Sequence, residues 1–231
     1  MARIGDSEQA FEVRPRRGAV RVTEPAQPSY DERLNRILET ATRLIAEVGY
    51  GKASMRAVAQ ATGVSLAGLY HYFASKERML FLIQSRTFNA LVNNLREKLH
   101  GVDDPVEQLR VMVRAHVGYF TANMAALKVC SHELDSLSGA SYEEARRIRR
   151  EYYGLVRAIV DRLLDTFAPG HSLDGHVAAM SLFGMLNWLY RWYDPGRGRS
   201  PNAVANQLAA QFLRGLGVPL EAPRVVTPPS G

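Results

Sequence analysis

Between Tyr70 and Lys76 the chain places two phenols, an imidazole and an ammonium group: Tyr70, His71, Tyr72 and Lys76. These are hydrogen-bond donors on apolar or flexible stems. They suit the holding of a phosphate, or a place beside a base, better than the breaking of a bond. Arg56 lies upstream, and a guanidinium grips guanine or phosphate through two parallel donors. The chain carries no Gly-x-Ser-x-Gly elbow, phosphate loop or dinucleotide fingerprint, which argues against an enzyme. His116, His132, Glu133, His171 and His176 lack the spacing of a metal-ligand set, so neither a metal nor another cofactor is expected.

The elements that must position these groups are short helices. Ser54 can cap a helix over about 55–61, with Met55, Val58 and Ala59 inward. Gly63 supplies the turn. Ser65 can cap a helix over about 66–72, and Ser75 a longer one. Leu69 and Phe73 fall where they hold the second short helix down. A longer helix precedes these, opened by the capping box Ser29 to Glu32 and closed by Gly49. Its apolar stripe is Leu34, Ile37, Leu38, Ala41, Leu44, Ile45 and Val48. Two short helices about a glycine turn form a helix-turn-helix signature, in which one helix enters the major groove and the other props it.

The run from Val64 to Glu77, Val-Ser-x-Ala-Gly-Leu-Tyr-His-Tyr-Phe-x-Ser-Lys-Glu, resembles the DNA-binding signature of the TetR family of bacterial repressors. The resemblance covers residues 30–80 closely and the helical layout beyond them in general. It implies a DNA-binding domain at 29–78 and a ligand-binding and dimerisation domain at 79–217. By this resemblance Tyr70 meets a phosphate, and Lys76 meets one at a helix start whose own dipole adds to the attraction. Arg56 and Ser54 reach base or backbone, as do Ser65, His71 and Tyr72. Leu66, Ala67 and Gly68 depart from the family pattern, which often has a polar residue and then Gly-Thr or Pro-Thr there. They offer thymine-methyl contact and close backbone approach instead, so specificity leans on Arg56, Ser65 and DNA shape.

The remainder reads as helical. Helices are expected over 76–99, from "DDP" at 103–105 to about 122, within 124–136, from a "SYEE" capping box at 141–144 to about 167, over 173–193, and over 201–215. No period-two strand pattern survives, so the fold class is all-α. One helix face carries Met112, Val113, His116 and Phe120 beside Arg110. With Phe183 and Asn187 these form the expected ligand pocket. Trp188 and Trp192, with Leu208 and Phe212, form the expected homodimer interface. Arg146, Arg147, Arg149 and Arg150 read as a solvated face or as partners for phosphates. The segments "RWYDPGRGRS" and "HELDSLSG" are similar to the TetR branch that governs fatty-acid degradation. That resemblance implies an acyl-CoA effector, while a drug, an antibiotic or a steroid-like acid remains open.

Composition sets the outer bounds. The chain has 231 residues, 29 Lys and Arg against 23 Asp and Glu, and a net charge of +6. This charge fits a nucleic-acid partner. Cys130 is the only cysteine, which excludes an internal disulfide. No run approaches the roughly 18 apolar residues of a membrane span. The N-terminus lacks the apolar core of a secretory signal, so a cytoplasmic protein is expected. Residues 1–28, with Arg3, Arg14, Arg16, Arg17 and Arg21, read as a flexible arm, and 218–231 as a tail. The composite expectation is a homodimeric repressor released from a palindromic double-stranded DNA operator by a small apolar effector. The alternatives are a ligand-independent DNA binder, or an enzyme or carrier using the C-terminal cavity.

Overall fold

The computed structural model describes residues 29–170 and 173–218. The N-terminal arginines, His171 and the tail from 219 onward lie outside the described residues. Within them the architecture is helical, with no strand.

Helix α1 (Tyr30–Val48) begins at a complete capping box. The Ser29 amide donates to Glu32 Oε2 at 2.7 Å, and the Glu32 amide donates to Ser29 Oγ at 3.2 Å. Its buried stripe is Leu34, Ile37, Leu38, Ala41 and Ile45. Helices α2 (Met55–Thr62) and α3 (Leu66–Tyr72) follow, joined through Gly63 at φ 69°. That left-handed conformation strains any residue bearing a Cβ. Helix α4 (Lys76–Leu99) is long, and its two ends belong to different cores. Met79, Leu80, Phe81 and Ile83 pack with α1–α3, together with Val129, Leu137 and Ala145 from later in the chain. Leu91, Val92 and Leu95 pack into the second core. The core built on α1–α3 therefore extends to Ile83 of α4. The cause is packing: later segments close its open side.

The second core is built by α5 (Pro105–Ala122), α6 (Met124–His132), α7 (Gly139–Phe167), α8 (Gly175–Asn187), α9 (Leu189–Trp192) and α10 (Pro201–Gly215). Asp104 caps α5, with Pro105 at its first position, where the missing N–H costs nothing.

Two local expectations are corrected. The 141–144 capping box lies inside α7, which starts at Gly139. Its N-cap, Ser138, gives both its amide and its hydroxyl hydrogen to Glu77 Oε1, at 2.8 and 3.0 Å. A tertiary contact to α4 sets this helix start. The apolar helix expected over 173–193 breaks at Trp188 into α8 and α9.

Candidate functional site

Helix α3 is held from beneath. Leu69 is fully buried and Phe73 nearly so, while Tyr70 on the opposite face is half exposed. Ala67 and His71 are also exposed, and Leu66 and Gly68 partly so. The helix thus presents Ala67, Tyr70 and His71 outward. The serines do structural work first. Ser54 Oγ accepts the Ala57 amide at 3.1 Å, and Ser65 Oγ accepts the Gly68 amide at 3.0 Å. Each hydroxyl keeps its hydrogen for an external acceptor. A Cβ on Gly68 would lie 3.0 Å from both Ser65 Oγ and Val64 Cγ1, so this glycine relieves crowding inside the cap.

Lys76 is positioned by the chain before α2. Its Nζ donates to the Gly51 carbonyl at 3.3 Å and sits 4.0 Å above the centre of the Tyr50 ring. Burial lowers its pKa, opposed by the charge of Glu133. Arg56 is exposed at the start of α2.

Tyr72 stands apart from this outward set. Its ring stacks on Tyr30 at 5.0 Å and 25°, which makes it a brace between α3 and α1. Beside it, a groove of about 670 Å³ is lined by Arg33, Arg36, Arg43, His71 and Tyr72. The arginines of this groove escaped the motif-based reading. Their i, i+3, i+10 spacing on α1 is the signal that identifies them as one face.

The second feature is a cavity of about 370 Å³ among α4–α9. Of the expected pocket residues, His116, Phe120, Phe183 and Asn187 line it. Met112 and Val113 do not, because they are fully buried in the core on the inner side of α5. Arg110 does not either. It lies on the outer side of α5 and pairs with Glu107 at 3.6 Å. Unforeseen lining residues include Phe88, Tyr152 and Arg149. Arg149 belongs to the run of four arginines, yet it alone follows Ala145 by one helical turn and precedes Tyr152 on the buried stripe of α7. His116 Nδ1 lies 3.0 Å from the Tyr152 hydroxyl. Burial pushes the imidazole down to about 4, with Asn187 opposing the shift, so His116 is neutral at pH 7. Burial also pushes the Cys130 thiol up to about 11, which makes it inert.

The two features are joined by polar contacts. Arg149 Nη2 donates to Gln84 Oε1 at 3.1 Å and to the Cys130 carbonyl. Gln84 Nε2 donates to the Glu133 carbonyl at 2.9 Å, and Glu133 Oε1 accepts the Tyr50 amide at 3.1 Å. The last member carries the ring beneath Lys76.

Leu173, just before α8, and Val177, Met180, Trp188 and Trp192 along α8 and α9 are exposed, Met180 and Trp188 standing also at the cavity. Leu208 and Phe212 are placed differently. Phe212 is buried in the protomer's own core, and Leu208 packs against that core. Helix α10 turns Gln207, Gln211 and Arg214 outward instead.

Known proteins carry the same architecture. Residues 37–83 match the model of bacterial regulatory proteins of the tetR family, and residues 102–216 match a tetracyclin repressor-like C-terminal domain. The crystal structure of the TetR-family transcriptional regulator PfmR from Thermus thermophilus is 34% identical. The match covers 81% of this chain and all of that one, with a TM-score of 0.70. The chain belongs to the TetR family. It is a DNA-binding transcriptional regulator, as the proteins of this family are. Among its TetR relatives, the transcriptional repressor KstR2 of Rhodococcus jostii (strain RHA1) is 25% identical over 188 residues, 81% of this chain and 92% of that protein. AibR, solved with isovaleryl coenzyme A and operator DNA, is 27% identical. That match covers 78% of this chain and 97% of AibR, with a TM-score of 0.70. No described helix of this TetR chain is long and apolar enough to cross a membrane.

Proposed function

We propose that this protein is a homodimeric repressor that leaves a palindromic operator when a small, largely apolar effector fills the cavity among α4–α9. The observation that carries the reading is the two-sided build of α3. Leu69 and Phe73 fix it to the core, so Tyr70 and His71 project from a rigid element. A rigid recognition helix meets the groove with little ordering cost. Tyr70 and Lys76 take phosphates, with Ser54, Ser65 and His71 adding donors along the backbone. Arg56 supplies the strongest base contact. Ala67 and Leu66 face thymine methyls, and Gly68 lets the backbone approach. Tyr72 braces the assembly.

Dimerisation uses the exposed apolar stripe of α8 and α9, with Trp188 and Trp192 as its large anchors. Polar rather than apolar residues of α10 join it, since Phe212 is already committed to the core. The effector acts by binding the DNA-incompetent state more tightly. The hydrogen bonds from Arg149 through Gln84 and Glu133 to Tyr50 offer a physical route from cavity to phosphate clamp.

A second reading makes the effector an acyl-CoA. It is favoured by AibR, which was solved with such a compound. The cavity here is small, so only the acyl portion would lie inside it.

Footprinting on the gene's own upstream region tests the proposal. Two protected half-sites with centres about one helical turn, roughly 34–36 Å, apart are expected. A single unpaired footprint, or protection without sequence preference, contradicts it.

A further inference from the structure

Among the described residues, two buried side-chain polar atoms have no partner at hydrogen-bond geometry, His116 Nε2 and Arg149 Nε, although Asn187 is near enough to act on the imidazole. Both side chains line the same cavity. Buried polar groups are almost always satisfied, so two orphans on side chains of one cavity wall point to a group that completes them.

The chemistry of that group follows from the walls. Arg149 is the cavity's one permanently charged lining residue, and no lining residue is Asp or Glu. Its guanidinium stacks over the Phe88 ring, 4.7 Å from the ring centre, and bonds only neutral oxygens of Gln84 and Cys130. Among the described residues it makes no salt bridge; Cys130 and Asp135 act on it electrostatically without an ion-pair contact. A desolvated cation with no carboxylate in contact calls for an anion. Phe120, Leu127, Met180 and Phe183 supply apolar wall, and the polar groups beside them, those of Ser131, His132, Asn187 and Tyr190, are neutral or at most weakly basic. His116 is neutral. When its Nδ1 accepts from the Tyr152 hydroxyl, Nε2 carries the hydrogen and offers a second donor. The volume of about 370 Å³ lies at the low end of small-molecule sites.

We propose that the effector is a small apolar monocarboxylic acid whose carboxylate is received by Arg149, with His116 as a second donor and the hydrocarbon part against the aromatic walls. This rests on the reading that the cavity holds the effector. It sets the free acid against the CoA thioester as the recognised form.

Full-length protein is titrated with isovalerate and phenylacetate, with isovaleramide and phenylacetamide, and with isovaleryl-CoA. Tryptophan emission, compared with a Trp192→Phe background so that Trp188 at the cavity is the source, reports binding. At least one acid is expected to bind, with its neutral amide at least tenfold weaker. Arg149→Met keeps the stem and removes the charge, and should weaken the acid at least tenfold without affecting the amide. Arg149→Lys restores a cation and should recover part of the loss, which separates charge recognition from misfolding. Equal binding of acid and amide overturns the proposal. Binding of the thioester alone, unchanged in Arg149→Met, also overturns it and leaves the repressor with an acyl-CoA effector. Silence from all of these compounds, with operator-specific DNA binding intact, likewise rejects the acid and leaves the regulatory reading standing.

Discussion

Lys76 Nζ stands 4.0 Å above the Tyr50 ring centre while donating to the Gly51 carbonyl at 3.3 Å. The ammonium is thus held at the first turn of α4, where the helix dipole already favours an anion. Lys76→Ala is expected to weaken binding to every DNA sequence alike. The slope of log binding constant against log salt should fall by about 0.9, the value of one lost phosphate contact on B-DNA. Affinity measured across a salt series checks this. An unchanged slope would remove Lys76 from the phosphate contacts.

Tyr70 and Phe73 separate binding from stability on a single helix. Tyr70 is half exposed, so Tyr70→Phe should leave the melting temperature in place and lower DNA affinity by about 0.5–1.5 kcal/mol, one hydrogen bond's worth. Phe73 is almost fully buried, so Phe73→Ala should destabilise the fold by about 3–5 kcal/mol. Thermal unfolding beside DNA titration distinguishes the two outcomes.

His116 gives stability a pH dependence. Its folded pKa of about 4 lies below the roughly 6.5 of an unfolded imidazole. Between those values the unfolded chain binds more protons, so the contribution is complete above pH about 6.5 and is lost as pH falls toward 4. Unfolding free energy of the native chain and of His116→Phe, measured over this range, should differ in slope by up to about 1.4 kcal/mol per pH unit. Parallel curves would contradict the buried, neutral imidazole.

Val177 lies in the middle of the exposed apolar stripe and makes little contact with its own core. A charge there is cheap for the protomer and costly in a symmetric interface, where each copy buries it. Val177→Asp should therefore sediment as a monomer with native helix content, and operator affinity should fall sharply. A dimer that persists in the variant would move the interface elsewhere.

The DNA-binding half was readable in the sequence because local rules govern it. Ser29, Ser54, Ser65 and Ser75 cap where their spacing predicts, and Gly63 turns as its position requires. The stack of Tyr72 on Tyr30 escaped because the two are distant in sequence, and no local pattern announces a contact between α1 and α3. The cavity was half legible. His116, Phe120, Phe183 and Asn187 follow from helical faces. Met112 and Val113 share the α5 face but sit deeper, and a helical wheel does not separate core from cavity lining. Arg149 was hidden by its neighbours. Four arginines in a row of five look solvated, although one occupies the buried stripe at the turn after Ala145. The start of α7 is a similar case, because Glu77 determines it from across the fold.

The central claim is sequence-specific binding by the α2–α3 unit. Competition between the gene's upstream fragment and random duplex of equal length, at physiological salt, tests it most directly. The upstream fragment is expected to bind at least about a thousandfold more tightly, the lower end for specific regulators. Equal affinity for the two duplexes would contradict it.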